Sequence, residues 1–274
     1  MWVALAGCWN MMSGYTGYID FGPVAYFGVG SYCTALFMIK GGLSFFTSIF
    51  LTGWVCAALS LAIGLSTLRL QGAYFAIATF AAAEGLKQII LEGDQVAGID
   101  FFGGAHGLTL PLAPPEIFFY YVLLFFMALI LCLTAFLEKS KFGYALRTIR
   151  ESEQTAELIG VPTLSIKVRA YLLSSSLIGC IGGVEAYWLT YIIPDDVFNV
   201  TRTIQMVIMT LLGGMGTVLG PVIGATFLTL VSEFLGVKFV YDYLIVVGLV
   251  IIFVIILMPR GIMGTIRWRR MGKR

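Results

Sequence analysis

Residues 117–137 form a run of 21 positions without a single charge, almost all of them apolar. As a helix this run is about 31 Å long, the thickness of a bilayer's hydrocarbon core. Backbone placed in hydrocarbon must satisfy its own hydrogen bonds, and a single segment of this length does so as an α-helix. Further apolar runs cover 1–12, 24–39, 43–68, 73–91, 171–193, 204–235 and 243–258. Charged residues make up 12% of the 274 positions, against about a quarter in a soluble domain. These features predict an all-α fold: a polytopic transmembrane helical bundle of about seven to eight membrane segments, two of them broken by Gly-rich turns. It would form one domain over 1–274, with the lipid bilayer as its first partner. A net charge of +2 gives no reason to expect nucleic acid.

One long polar stretch interrupts this pattern. Residues 138–169 hold four acids (Glu138, Glu151, Glu153, Glu157) and six bases (Lys139, Lys141, Arg147, Arg150, Lys167, Arg169). Tyr144, Ala145, Ile149, Ala156, Ile159 and Gly160 recur at three- and four-residue steps, which predicts a short amphipathic helix. Gly160 and Pro162 end it. A helix tied at both ends to membrane spans stays at the membrane face. From the residues alone two readings remain open: a loop that solubilises a turn, and a handle for a soluble partner.

Two apolar runs are broken by glycine and proline. The first break contains Gly14, Gly17, Asp20, Gly22 and Pro23; the second contains Gly213, Gly214, Gly216, Gly220 and Pro221. Interrupted helices at membrane depth survive only where protein or a water-filled cavity satisfies the freed backbone groups, so such breaks point to a transport path. Tight turns packed through small residues are the other reading. Both breaks carry G-x-x-G followed by Gly-Pro-Val, with spacing that differs by one residue, which suggests an internal duplication.

Lys and Arg assign the sides. Arg69, the six bases of the polar stretch and the six of the 259–274 tail make thirteen on the cytoplasmic side, against Lys40, Arg202 and Lys238 in the other loops. This sidedness requires 204–235 to enter and return, and likewise 1–39. Glu84 and Lys87, three residues apart inside a span, share a helical face and are expected to pair or to serve the path. The five cysteines (Cys8, Cys33, Cys56, Cys132, Cys180) lie in apolar runs and are expected to be small buried hydrophobes. The sequence offers no metal-ligand cluster, no cofactor motif, no Walker-type nucleotide loop and no nucleophile–base set. A catalytic role is therefore not expected.

Several blocks resemble one family. Gln154-Thr155-Ala156-x-x-x-Gly160 is similar to the Glu-Ala-Ala-x-x-x-Gly loop of ABC-importer permeases, with Gln154 and Thr155 as departures. GYTGYIDFGPVAYFGVGSY resembles a segment of the LivM-type (branched-chain amino acid) permeases, with Pro23 where a polar residue is common. The blocks LRLQGAYFAIAT and LGGMGTVLGPVIGA, and the glycine-rich loop at Gly103-Gly104, resemble that family too. The family carries at least one more apolar span before the first block, so the resemblance implies a missing first helix or a start at an internal Met. It implies a permease subunit in a bacterial or archaeal cytoplasmic membrane, importing branched-chain or related small amino acids, with urea, amides or sugars carried by relatives. The implied partners are a second homologous permease, two cytoplasmic ATPase subunits and a periplasmic substrate-binding protein. It further implies an ATPase-docking set of Arg147, Arg150, Glu153, Gln154, Ala156, Glu157 and Gly160. Broken-helix physics adds a path lined by Gly14, Gly17, Asp20, Gly22, Glu84, Gly213, Gly216 and Gly220. An ATP-independent channel or secondary transporter is the alternative.

Overall fold

The computed structural model describes residues 1–97, 102–238 and 261–263. The expected span at 243–258 lies outside these residues, as does the basic tail at 259–274 apart from 261–263. The described chain is helical almost throughout: α1 (Trp2–Trp9), α2 (Pro23–Ile39), α3 (Phe45–Thr67), α4 (Ala73–Ala97), α5 (Glu116–Lys139), α6 (Lys141–Glu151), α7 (Glu153–Leu158), α8 (Thr163–Leu189), α9 (Pro194–Val197), α10 (Val200–Gly213) and α11 (Gly220–Lys238). A π-helical turn at Asn10–Gly14 extends α1. Four helices (α3, most of α4, α5 and α8) are long and apolar enough to cross a membrane, and two shorter apolar ones accompany them. The one non-helical pairing among the described residues is a two-residue ladder, Leu108–Thr109 against Tyr191–Ile192.

Lipid-like surroundings give helices no hydrophobic reason to associate, so close packing through small residues does that work. The α2–α8 contact shows it. A Cβ on Gly30 would stand 2.1 Å from the Gly179 carbonyl oxygen, and one on Gly182 would stand 2.3 Å from that of Phe27. Ser31 Oγ bridges the same pair, donating to Phe27 O or Gly182 O at 2.9 and 3.0 Å. α3 closes the third side: Cys56 packs on Gly179, and Thr52 shares a hydrogen bond with Thr34 at 2.9 Å. Aromatic side chains on the outer faces of α3 and α5, such as Phe50, Trp54, Phe125 and Phe136, are exposed, as befits surfaces that meet hydrocarbon rather than water.

Three expectations need correction. Glu84 and Lys87 do not pair: Lys87 Nζ lies 2.8 Å from Asp195 Oδ1, while Glu84 accepts from Gln88 at 3.4 Å. The segment before α10 folds back and brings Asp195 to α4, a contact that spacing within α4 cannot reveal. Cys8, Cys56 and Cys180 are buried, but Cys33 is only partly so and Cys132 is exposed on α5. An apolar run marks a span without marking its inner face. The single helix expected in the polar stretch is two, because Ser152 is extended (φ −164°, ψ 114°) and separates α6 from α7.

Candidate functional site

The polar stretch folds as a bent lever at one end of the bundle. Ser140 starts α6, its hydroxyl accepting from Gly143 N at 3.1 Å, the bond an N-cap supplies to an orphan amide. Gly143 sits so close to α5 that a Cβ would fall 1.8 Å from Leu137 O, and Leu146 and Ile149 are buried behind it. Ser152 caps α7 in the same way, accepting from Thr155 N at 3.2 Å. Gly160 takes φ +83°, a left-handed C-terminal position that a glycine adopts without strain. Val161 N then returns to Ala156 O at 3.0 Å.

One face of this lever is tied to the bundle. Lys167, only 3% exposed at its side chain, lies 2.5 Å from Glu153 Oε1 and donates to Leu68 O at 2.9 Å. The Tyr18 hydroxyl donates to the other Glu153 oxygen, and Lys167 Nζ stands 4.5 Å from the centre of the Tyr18 ring. Burial alone would raise the Glu153 carboxyl. The bonds from Lys167 and Tyr18 outweigh it and hold the group below its ordinary value, as donors to the charged form do. Arg147 pairs with Glu138 at 2.8 Å over the Tyr15 ring, and Thr163 Oγ1 donates to Glu157 Oε1 at 2.8 Å. The other face is bare. Tyr144 is 61%, Leu158 87% and Ile159 66% exposed, beside exposed Gln154 and Glu157 and an exposed Gly160. Ala156 is fully buried.

The two breaks lie against this lever and against each other. Asn10, wholly buried, donates from Nδ2 to Thr217 O at 3.0 Å and accepts from Gly216 N at 2.8 Å. Arg150 Nη1 donates to Gly14 O at 2.9 Å and reaches Met215 O at 3.5 Å. Asp20 is 4% exposed and accepts from Gly22 N at 2.8 Å. A Cβ on Gly213 would stand 1.7 Å from Gly220 O. Of the eight residues expected to line a path, Gly14, Gly17 and Gly216 thus meet at Arg150, while Gly213 packs on Gly220 and Asp20 bonds Gly22 within their own breaks. Glu84 stands apart on α4. A polar cavity of about 310 Å³ separates the lever from the first break, lined by Gly17, Tyr18, Gln71, Arg150, Glu153 and their neighbours. Of the seven expected docking residues, Arg147, Glu153 and Ala156 turn toward the bundle, and Arg150, though exposed, reaches back to it with its guanidinium.

Four residues escaped the sequence reading. Asn10 sits in an apolar run, and that isolation was its available signal. Lys167 was counted only as a marker of sidedness. Leu158 follows Glu157 and falls outside the periodic apolar set, although its neighbour Ile159 is in it. Arg202, taken as a loop base, forms a 2.9 Å pair with Glu185 and covers the Phe27 ring at 4.8 Å.

Comparison with known proteins gives one family. Residues 1–255 match the family of the branched-chain amino acid transport system / permease component. The chain is 25% identical over 94% of its length to the high-affinity branched-chain amino acid transport system permease protein LivM of Salmonella typhimurium, and equally to that of Escherichia coli K12. It spans 66%, just under two thirds, of each of these relatives. A stretch covering 39% of the chain is 32% identical to a third of the autoinducer 2 import system permease protein LsrC of Photorhabdus laumondii. No solved structure matches the chain.

Proposed function

We propose a function from one premise: the chain belongs to the family of branched-chain amino acid transport system permease components. It acts as one membrane subunit, a single transmembrane domain over 1–274, of an ATP-driven importer. A second, similar permease completes the path, two cytoplasmic ATPases supply the energy, and a periplasmic binding protein delivers the substrate. The chain itself performs no hydrolysis. Branched-chain amino acids are favoured over the sugars, urea or amides that other permeases carry, because the relatives named for branched-chain substrates align over 94% of this chain and the autoinducer permease over 39%.

The observation that carries the coupling role is the bare apolar face of the lever. Tyr144, Leu158 and Ile159 stand exposed on a segment too charged to enter hydrocarbon, and the same segment is bolted to the bundle through Glu153 and Lys167. Apolar surface held rigidly in water fits a docked partner. In this reading Leu158 and Ile159 enter a cleft of the ATPase, with Gln154, Glu157 and Gly160 at its rim. Closure of the ATPases on ATP moves the lever, and the lever moves the breaks.

The test is purification of the permease with its ATPases after Leu158→Glu. A charge in an apolar cleft is expected to reduce co-purified ATPase at least tenfold and leucine uptake into vesicles with it, while membrane insertion persists. Undiminished co-purification would remove the lever from the interface. ATP-independent uptake by the wild-type chain alone would point instead to a channel or secondary transporter.

A further inference from the structure

We infer that Arg150 is the pin that transmits movement of the lever to both helix breaks at once, and that it is a positioning residue inside the permease, not a contact for the ATPase. This rests on the reading of the lever as the docking element.

The geometry is specific to this side chain. Gly14 lies in the last turn of the helix begun by α1, and Met215 lies just beyond the end of α10. Carbonyls at helix C-termini lack helical partners and carry the negative end of the dipole. One guanidinium nitrogen of Arg150 faces both, at 2.9 and 3.5 Å. A glycine from each break shapes its place. At Gly17 (φ +79°) a Cβ would come within 3.0 Å of Arg150 Cγ, and at Gly216 (φ +71°) within 2.6 Å of Nη1. Any side chain at Gly216 would fill the position the guanidinium occupies. No carboxylate among the described residues forms an ion pair with Arg150, whereas Arg147, one turn earlier, is paired with Glu138.

The surroundings make the contact a transmission. Asn10 hydrogen-bonds Gly216 and Thr217 directly, so the two breaks form one body. α6 is held on α5 by Gly143 and Leu146, and ends at the extended Ser152. Arg150, in its last turn, is where displacement of α6 meets both breaks together. Three of the glycines that suggest a pore in the sequence, Gly14, Gly17 and Gly216, serve here as the housing of this arginine. The two N–H donors of Nη1 lie in the fixed plane of the guanidinium and can serve one carbonyl each, whereas a lysine ammonium is a freely rotating point charge that fixes neither direction.

The experiment uses the assembled importer in vesicles with Arg150→Gln, Arg150→Lys and Gly216→Ala. Co-purified ATPase is expected within twofold of wild type in all three. Uptake is expected to fall at least tenfold in Arg150→Gln, with the ATP hydrolysed per solute moved rising by at least the same factor. Arg150→Lys should fall between Arg150→Gln and wild type. Gly216→Ala should also lower uptake, although its Cβ would meet Gly14 O at 2.9 Å as well and its φ of +71° strains alanine. If Arg150→Gln fails to insert, Arg150→Lys decides the matter, with uptake equal to wild type overturning the inference. Spin labels at exposed Lys141 and Leu219 should show a nucleotide-dependent distance change in wild type that Arg150→Gln abolishes. Loss of ATPase co-purification in Arg150→Gln would make the residue a docking contact and overturn the inference. So would uptake within twofold of wild type in Arg150→Gln. A wild-type complex that does not couple ATP to uptake would overturn the docking reading, and the pin with it.

Discussion

The turn at 213–220 is held from afar by Asn10 and Arg150, whereas the segment at 16–22 is closed mostly by side chains that lie just before or within it, with Thr79 on α4 added. In the second break Thr217 Oγ1 donates to Gly214 O at 2.8 Å and accepts from Gly220 N at 3.0 Å. Beyond these two bonds, Asn10 takes the Gly216 amide and the Thr217 carbonyl, and Arg150 reaches the Met215 carbonyl. In the first break Trp9 Nε1 donates to Asp20 O, Ser13 Oγ accepts from Asp20 N, and Thr79 on α4 accepts from Phe21 N, at 2.9, 3.3 and 3.2 Å. Freed backbone groups at membrane depth must be paired, and similar glycine-proline signatures do this by different means. The second break is a compact hinge. The first is a knot that joins α1, α4 and, through Tyr18, the lever. A displacement of the lever therefore loads the first break over many contacts and reaches the second through Asn10 and Arg150.

The largest effect should come from the residue that joins the two. Asn10→Leu removes the partner of both the Gly216 amide and the Thr217 carbonyl at a fully buried position. Two orphaned groups cost about 3–5 kcal/mol together, to be seen as a lower thermal unfolding midpoint in detergent. A loss no greater than that of Thr217→Val would show that the breaks are independent. Lys167→Met comes next. It strands Glu153, whose side chain keeps 15% exposure, so the cost should be about 2–4 kcal/mol, at the lower end for a broken buried pair. The effect should concentrate in the first break and the lever, measured as faster amide exchange over Lys141–Glu151 and at Tyr18. The same anchor sets a pH dependence. The Glu153 carboxyl is held below its ordinary value of 4.5, so its contribution is complete above that value and is lost only as pH falls through the lower folded one. Exchange in the lever should stay slow from pH 7 to 5 and rise below 4.5. The smallest effect belongs to Thr217→Val, about 1 kcal/mol, confined to the second break because its lost bonds are local.

Much of this could be read along the chain. The span at 117–137 became α5, and Pro23 and Gly220 open the helices that follow the breaks. Gly160 ends the lever where it should. Ser152, a favoured cap residue before an acid, is hidden because Ile149 and Ala156 stand two helical turns apart and read as one face across it. The expected docking set marks a segment but is not sorted by face: four of its seven members reach toward the bundle, and the most exposed apolar residue of the lever, Leu158, is not among them.

The sequence by itself determined the all-helical membrane bundle, the charged stretch that becomes the lever and the positions of both breaks. Each follows from local quantities: the length of an apolar run, the distribution of Lys and Arg, and the backbone freedom of glycine. Only the tertiary structure decided that Asn10 meets Gly216, that Arg150 lies between Gly14 and Met215, and that Lys87 turns to Asp195 and away from Glu84. A hydrogen bond between residues more than a hundred positions apart depends on how whole helices pack, and neither partner's immediate neighbours in the chain encode that packing.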